Sequence, residues 1–182
     1  MIFTEEYFDV IDENGVPSGE IISRSDAHSK GILHRTAHVW IINNEMVLLQ
    51  KRSENKDSFP SCYDISSAGH ITAGDEPLSA AVRELSEELG INADGDSLVF
   101  IGTVRRDYYG KFHGRTFFDR ELAYVYIYRE AVDISKLILQ KSEVSDVMFA
   151  DISLCEELAA DKNEPLNEAE ISLLKKYLRE EN

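Results

Sequence analysis

Residues 76–89 carry the pattern that most restricts how this chain can fold, because here the hydrophobic period changes from that of strands to about 3.6 residues. The apolar side chains of the segment recur at i, i+3, i+4, i+7 and i+11: Leu78, Ala81, Val82, Leu85 and Leu89. This spacing predicts an amphipathic α-helix with one apolar stripe, with Asp75 as its N-cap and Gly90 at the C′ position. A single apolar face needs another element to bury it, so the chain must supply a sheet or further helices.

The segments before this helix are rich in β-branched and aromatic residues and are interrupted by turn-forming residues. Tyr7–Ile11 and residues 19–22 flank an Asn-Gly pair, which predicts an N-terminal β-hairpin. Residues 34–42 and 46–50 flank a pair of asparagines and predict a second, central hairpin.

Further elements are predicted on both sides of the helix: a loop over residues 54–69 that ends in a short strand at 65–68, strands at 97–104, 117–128 and 147–150, a loop at 105–114, and helices at 152–160 and 168–181. Strands and helices are interspersed without a βαβ rhythm, and no repeat or linker divides the chain. The predicted fold class is therefore α+β, a mixed β-sheet packed by α-helices. We expect a single domain over residues 1–182, in which residues 1–30 form an N-terminal hairpin extension.

The formal net charge of the chain is −15 at pH 7. Nucleic acids and anionic membranes are usually bound by clusters of Lys and Arg, so this charge argues against a polymeric nucleic acid or a membrane as partner. The same charge also repels a small phosphate-bearing substrate, so we expect divalent cations held by carboxylates to neutralise any phosphate that binds. Solubility alone is another explanation of an acidic surface. The sequence does not separate a monomer from a homodimer.

Cysteine spacing and hydropathy predict a cytoplasmic protein. Cys62 and Cys155 are far apart and have neither metal-binding nor redox spacing, so we expect two free thiols. Residues 1–10 lack the apolar core of a signal peptide, and no apolar stretch approaches the roughly 20 residues of a membrane span.

Three glutamates, Glu84, Glu87 and Glu88, lie on the predicted helix at i, i+3 and i+4. Their carboxylates are expected within one turn of each other, on the side away from the apolar stripe. Carboxylates this close repel one another, and hard cations such as Mg²⁺ or Mn²⁺ reverse that cost. Arg83 lies four residues before Glu87 and is placed to pair with it. The alternative is a solvated acidic face with an ordinary intrahelical salt bridge.

The string from Gly69 to Ile91 resembles the Nudix box, G-x5-E-x7-R-E-U-x-E-E-x-G-U, in which U is an aliphatic residue. Every defined position matches except the first glutamate, where this chain has Asp75 and, one place later, Glu76. The resemblance implies the Nudix fold, a mixed β-sheet sandwiched between α-helices, with residues 69–91 as the box.

For individual residues of the box, the resemblance implies specific roles. It implies that Glu84, Glu87 and Glu88 bind the catalytic cations. It also implies that Arg83 orients Glu87 and that the backbone around Gly69 approaches the metal. Independently of the resemblance, glycine at position 69 has no side chain and so leaves room for a ligand to approach closely.

Outside the box, several short strings resemble the branch of the Nudix superfamily that includes isopentenyl-diphosphate isomerase: residues 27–28, 33–35, 59–60, 67–70 and 119–121. In that isomerase, histidines and acidic residues at comparable places bind a metal, and a cysteine immediately before the box glycine performs acid-base chemistry. This chain has Ala68 at the cysteine position, and alanine cannot exchange a proton. His28, His34 and His70 are candidates for a metal or phosphate site, with ordinary hydrogen-bonded histidines as the alternative.

Two acids outside the box are candidates for the general base. Glu121 shares one face of a predicted strand with Asp119, where either acid could complete metal binding or act as base, and Glu143 precedes the strand predicted at residues 147–150. The alternative for both is charge at a strand edge.

The substrate-binding candidates are basic residues and one histidine near these acids: Lys51, Arg52, His70, Arg105 and Arg115. Lys51 and Arg52 end the second hairpin and are placed as a phosphate-binding pair. Four basic residues surround aromatic residues of the loop predicted at 105–114, which suits contacts to phosphate and stacking on a ring: Arg105, Arg106, Lys111 and Arg115. The alternative for that segment is a solvated loop.

Together these residues predict an enzyme, a Nudix pyrophosphohydrolase that acts on acid anhydrides with Mg²⁺ or Mn²⁺ as cofactor. The expected reaction is attack of a metal-activated water on the diphosphate linkage of a small nucleoside diphosphate derivative or a related organic diphosphate. The alternatives are an isopentenyl-diphosphate isomerase-like enzyme and a non-catalytic Nudix domain that senses a metabolite.

Overall fold

The structure is a computed structural model that describes residues 5–180 of the chain. Residues 1–4 of the predicted N-terminal extension and residue 181 of the predicted last helix lie outside the described residues. The strands of the described part are β1 (Tyr7–Ile11), β2 (Pro17–Ser23), β3 (His34–Asn43), β4 (Met46–Arg52), β5 (Tyr63–Asp64), β6 (Ser67–His70), β7 (Leu98–Phe112), β8 (Arg115–Tyr128) and β9 (Val144–Ala150). The helices are α1 (Arg24–Lys30), α2 (Pro77–Leu89), α3 (Ile152–Ala160) and α4 (Glu168–Glu180), and short 3-10 turns lie at Gly95–Ser97 and Ile134–Lys136.

The main sheet of the described part has seven strands and is mixed. β5, β4, β3, β8 and β7 are hydrogen-bonded in that order, while β6 also pairs with β3, and β9 with β4. β3 and β8 run parallel, with His34 opposite Glu121 in the register, and the other pairs are antiparallel. β1 and β2 form a separate antiparallel hairpin. The predicted N-terminal hairpin and the predicted central hairpin of β3 and β4 are both confirmed.

Helices cover both faces of this sheet. Because neighbouring residues of a strand point to opposite sides, β3 contributes side chains to the core on each face. Val39 of β3 faces α2, whose apolar stripe buries Leu85 and Leu89 completely. The next residue, Trp40, belongs to the core on the other face, where α3 and α4 contribute buried residues such as Leu174. The predicted α+β class, with a mixed sheet sandwiched between α-helices, is confirmed. Among residues 5–180, no helix combines the length and apolar character that a membrane span requires.

The ends of α2 follow from the residues beside them. Glu76 occupies the N-cap without a side-chain hydrogen bond, and Pro77 is the first helical residue. The prediction that Asp75 caps the helix is wrong, because proline favours the first helical position and keeps the residue before it extended. Gly90 ends the helix as predicted, with a φ of 71°.

β7 and β8 form one long hairpin, so the loop predicted at residues 105–114 is wrong. The two strands pair along their lengths, and only residues 113–114 connect them. Of the two glycines that suggested a loop, Gly110 pairs with Phe117 inside the hairpin, and Gly114 makes the turn with a φ of 76°.

The N-terminal hairpin is fastened to the loop that precedes α2. Asp9 Oδ2 accepts a hydrogen bond from Arg35 Nη2 at 2.7 Å and another from the backbone N–H of Gly74 at 2.9 Å. Arg35 also donates to the carbonyl oxygen of Asp75 at 3.2 Å. β1 thereby fixes the approach to the helix that carries the three glutamates.

Candidate active site

A cavity of about 230 Å³ brings most of the candidate residues together. Its walls come mainly from α1, α2, the strands β3 to β8, and the loops after β4 and before β9. The candidates that line it are Gly69, His70, Arg83, Glu84, Glu87, Glu88, Arg52, Glu121, Glu143 and His28. The box, the two candidate bases and part of the histidine group therefore face one space.

The three box glutamates have different surroundings. Glu84 and Glu88 are buried, at 9% and 5% exposed, whereas the side chain of Glu87 is 52% exposed. Glu88 Oε2 accepts hydrogen bonds from Ser67 Oγ at 2.7 Å and from the backbone N–H of Ala68 at 3.1 Å. A solvated acidic face is therefore wrong as a description of Glu84 and Glu88.

Burial changes the acidity of the two inner glutamates. It raises the pKa of Glu84 to about 7 and the pKa of Glu88 to about 8, and the charge of Glu84 adds to the shift at Glu88. Two carboxylates that are costly to ionise beside each other gain the most from a divalent cation between them. Their oxygen ligands suit Mg²⁺ or Mn²⁺.

Gly69 and Arg83 together set the position of Glu84. A Cβ at residue 69 would overlap the carboxyl group of Glu84, so glycine leaves the space that this carboxyl occupies. Arg83 Nη1 lies 2.7 Å from Glu84 Oε1 and 3.5 Å from Glu87 Oε2. Arg83 Nη2 donates to the carbonyl oxygen of His70 at 3.0 Å, which joins α2 to β6. Arg83 thus pairs more closely with Glu84 than with Glu87, the partner that the sequence suggested.

Three histidines and two acids form a second cluster beside the box. One ligand atom from each of His28, His34 and His70 lies within 4.8 Å of the others, and the same holds for His34, Asp119 and Glu121. The Nε2 atoms of all three histidines and Oδ1 of Asp119 are buried and have no hydrogen-bond partner among residues 5–180. Buried polar atoms are nearly always paired, so this set of ligand atoms fits a bound cation.

The histidine rings of this cluster are held in the form that binds metals. Burial lowers the pKa of His34 to about 4 and lowers the pKa of His70 well below its ordinary value, so both rings are neutral at pH 7. Phe8 of the N-terminal hairpin stacks on both, with ring centroids 4.9 Å from His34 and 4.5 Å from His70. Burial and the charge of Asp119 raise the pKa of Glu121.

Two basic residues of the cavity wall are paired with acids of the same wall. Arg52 Nη1 lies 2.9 Å from Asp64 Oδ2. Lys56 pairs with Glu143, the second candidate base, and so holds that carboxylate at the cavity.

Three of the predicted substrate-binding residues lie outside the cavity walls. Lys51 packs over an aromatic ring of β5, 5.9 Å from its centroid. Arg105 Nη2 lies 2.9 Å from Asp107, and its Nη1 lies 2.8 Å from Glu13 of the N-terminal hairpin. Arg115 is exposed at the start of β8. The structure therefore does not bring these three to the glutamates of α2.

Some residues of the cavity wall were not among the sequence candidates: Arg24, His38, Lys56 and Asp64. Arg106 was predicted with Arg105 as part of a phosphate-binding loop, whereas it lines the cavity because the alternation of a strand places it on the same side as its register partner Glu121. Treating the segment as a strand would have distinguished it from Arg105. For Lys56, in an irregular loop, no local sequence signal exists.

No described residue supplies a thiol at the position of the isomerase cysteine. Ala68 lines the cavity there. Cys62 donates to the carbonyl oxygen of Asn163 at 3.6 Å, and burial raises the pKa of its thiol to about 11. Both Cys62 and Cys155 are free, as predicted. The cavity therefore lacks the cysteine acid-base group on which the isomerase mechanism depends.

Comparison with known proteins points to one family. Residues 32–173 match the NUDIX domain family. An uncharacterised Nudix hydrolase of Clostridium acetobutylicum is 38% identical over 152 residues, which cover 81% of this chain and 71% of that protein. The isopentenyl-diphosphate Delta-isomerase of Pectobacterium atrosepticum is 39% identical over 83 residues, a shorter match that covers 45% of this chain and 46% of the isomerase.

A solved structure shares the arrangement of sheet and helices. The crystal structure of DR0079 from Deinococcus radiodurans matches 94% of this chain and 98% of its own chain with a TM-score of 0.65, at 20% identity. This likeness confirms the fold. The domain match extends well beyond the box to the sheet and the helices around it, and the chain belongs to the Nudix family.

Proposed function

We propose that this protein is a metal-dependent hydrolase that cleaves the diphosphate linkage of a small nucleoside diphosphate derivative or a related organic diphosphate. The observation that carries this function is the pair of buried carboxylates, Glu84 and Glu88, on the wall of a cavity that also contains basic side chains. Membership of the Nudix family, in which a relative 38% identical is named a hydrolase, supports it.

Glu84, Glu87 and Glu88 are the residues that would hold Mg²⁺ or Mn²⁺, with the backbone of Gly69 beside them. These residues fit a divalent cation because Glu84 and Glu88 are buried acids with raised pKa values, and because Gly69 leaves space beside them. A cation bound there supplies Lewis acidity, which neutralises charge on phosphate oxygens and acidifies the attacking water.

The second cluster fits a further cation. His28, His34 and His70 offer neutral imidazole nitrogens, and Asp119 and Glu121 offer carboxylate oxygens. A mixed nitrogen and oxygen ligand set suits Mn²⁺ better than Mg²⁺, which prefers oxygen alone.

The proton of the attacking water goes to a carboxylate of the cavity, and Glu121 and Glu143 are the two candidates. Lys56 holds Glu143, whereas Glu121 lies within the second cluster. In the step itself, the water oxygen forms a bond to phosphorus, the carboxylate takes the proton, and the bond from phosphorus to the leaving oxygen breaks with its electron pair on that oxygen.

The cavity is suited to a small molecule. Its volume of about 230 Å³ and its charged walls match a compact diphosphate rather than a polymer. The net charge of −15 also disfavours polymeric nucleic acid and anionic membrane as partners.

Residues 1–182 are assigned to one Nudix domain, with residues 1–30 as the N-terminal extension and 69–91 as the box. The protein is assigned to the cytoplasm, as a monomer or a homodimer. The two free thiols, Cys62 and Cys155, support this compartment, since cytoplasmic conditions keep thiols reduced.

The test combines the purified protein and Mg²⁺ or Mn²⁺ with nucleoside diphosphates, nucleotide sugars and isoprenoid diphosphates, and it scores phosphate release. Glu87→Gln and Glu88→Gln should lower turnover at least about a hundredfold. Glu157→Gln, an exposed position on α3, is the matched control that should not. No turnover by the wild type, or unchanged turnover in Glu88→Gln, would refute the hydrolase. A diphosphate that binds, raises the melting temperature and is never consumed would indicate a metabolite sensor instead.

A further inference from the structure

Arg106 is a cationic side chain of the cavity wall that the roles above leave unassigned. It lies on β7 in register with Glu121 of β8. Its guanidinium carbon is 5.8 Å from the centroid of the Phe59 ring, a cation–π contact. Contact with the flat face of the ring restricts the orientation of the guanidinium group.

The other Lys and Arg side chains of the cavity wall are each paired with an acid of the protein: Arg24 with Glu6, Arg52 with Asp64, Lys56 with Glu143 and Arg83 with Glu84. The side chain of Arg106 makes no hydrogen bond and no salt bridge within residues 5–180. A guanidinium group carries five N–H donors. Those of Arg106 are available to a ligand in the cavity.

The acids of β8 keep Arg106 charged. Burial disfavours the charged guanidinium, but nearby carboxylates together outweigh this effect and raise its pKa, with Glu121 and Asp119 contributing more than Asp64 and Glu170. They attract the group without forming a salt bridge with it. Arg106 is therefore a cation that has no carboxylate of the described residues in close contact and that can pair with a phosphate in the cavity.

We propose that Arg106 binds the substrate directly, donating two parallel hydrogen bonds to oxygen atoms of one phosphate group. This rests on the proposed function, since it requires a diphosphate in this cavity. The planar fork of arginine matches two phosphate oxygens at once, whereas lysine offers a point charge. A purely structural role, in which Arg106 only balances the charges of Asp119 and Glu121, would require a positive charge and not the planar guanidinium group.

The experiment measures the binding of methylenediphosphonate, a diphosphate analogue that cannot be hydrolysed at its bridging carbon, by titration calorimetry in Mg²⁺. Arg106→Ala should raise Kd about tenfold to a hundredfold, and Arg106→Lys about tenfold. Arg120→Ala is the matched control. Arg120 lies on the same hairpin, next to Glu121, and pairs with Asp107 and Glu13 outside the cavity. Its replacement should leave Kd unchanged.

Binding by Arg106→Ala as tight as binding by Arg120→Ala would overturn this role for Arg106. If thermal unfolding shows that Arg106→Ala does not fold, Arg106→Lys decides: wild-type affinity overturns the role, and weaker binding supports it. Binding that depends on Arg106, in a protein that hydrolyses no diphosphate, supports the role of Arg106 and refutes the hydrolase. No binding by the wild type overturns the role of Arg106, and turnover of an organic diphosphate then decides the hydrolase separately.

Discussion

The carboxyl group of Glu84 occupies the space that a side chain at residue 69 would fill, because Gly69 of β6 packs directly against α2. Arg83 closes this contact, since its guanidinium group lies 2.7 Å from Glu84 and donates to the carbonyl oxygen of His70 at 3.0 Å. The strand before the box and the helix within it are thus joined at the point where both face the cavity. The position of Glu84 depends on residue 69 having no side chain.

Gly69→Ala should displace Glu84 and weaken Mn²⁺ binding about tenfold to a hundredfold. The added methyl group overlaps the carboxyl of Glu84 and forces it away from β6. Titration calorimetry with Mn²⁺ measures the effect. Gly95→Ala is the control, because a Cβ at that position meets Leu78 at 3.4 Å, an ordinary van der Waals distance. Equal Mn²⁺ affinity in both variants would contradict this role for Gly69.

Glu143→Gln should lower kcat by about 10²–10⁴-fold and change KM little. Glu143 lines the cavity outside both groups of metal-ligand candidates, and Lys56 holds its carboxylate. Steady-state kinetics and Mn²⁺ titration are measured together, and Mn²⁺ affinity should stay at the wild-type value. Glu121→Gln should also reduce Mn²⁺ affinity, because Glu121 shares a cluster with His34 and Asp119. If Glu143→Gln keeps the wild-type kcat, and Glu121→Gln lowers kcat without lowering Mn²⁺ affinity, the base is Glu121.

The protein should not convert isopentenyl diphosphate to dimethylallyl diphosphate. Ala68 stands where the isomerase has its cysteine, and the thiol of Cys62 does not line the cavity. Burial raises the pKa of that thiol to about 11, so it stays protonated at neutral pH. Chromatography of the products after incubation with Mg²⁺ or Mn²⁺ checks this. Formation of dimethylallyl diphosphate by the wild type would show that another residue takes the place of the cysteine.

The buried pair of His38 and Glu170 makes folding stability depend on pH. His38 Nδ1 lies 2.9 Å from Glu170 Oε2, and Trp40 Nε1 donates to Oε1 of the same carboxylate at 2.9 Å. Burial alone would lower the pKa of His38, but the charge and hydrogen bond of Glu170 raise it to about 9. A raised histidine pKa adds stability that is complete below the unfolded value of about 6.5 and is lost as pH rises through about 9.

The free energy of unfolding should therefore fall by at most about 3 to 4 kcal/mol as pH rises from about 6.5 to beyond 9, since one pKa unit corresponds to about 1.4 kcal/mol. Urea unfolding followed by the fluorescence of Trp40 measures the change. His38→Gln removes the titrating group and keeps a polar side chain beside Glu170. Its stability should be lower at pH 6.5 and flatter with pH, and a decline as steep as that of the wild type would count against this pair.

Features that depend on one helix or one hairpin could be predicted from the sequence. Leu85 and Leu89 lie in the core and Glu84 lies at the cavity, because a single helical period places both sets of residues. The turn residues likewise predicted the first two hairpins. The box resemblance then supplied the chemical interpretation of that helix.

Features that depend on strand register or on distant contacts could not be predicted in this way. Arg105 and Arg106 are neighbours that point to opposite sides of β7, and a segment taken for a loop has no alternation to separate them. His38 and Glu170 are 132 residues apart and meet only because α4 packs against β3. The histidine cluster is an intermediate case: His28, His34 and His70 lie on α1, β3 and β6, no local pattern joins them, and only the resemblance to the isomerase branch singled them out together.

Whether the carboxylates of α2 hold cations that activate water at phosphorus is tested most directly by hydrolysis of an organic diphosphate in ¹⁸O-labelled water, with the products read by mass spectrometry. With Mg²⁺, the wild type should place one ¹⁸O atom in one of the two phosphate-bearing products. EDTA should stop the reaction, and Glu88→Gln should slow it at least about a hundredfold. Turnover that persists without divalent cations, or an equal rate in Glu88→Gln, would contradict the role of these carboxylates.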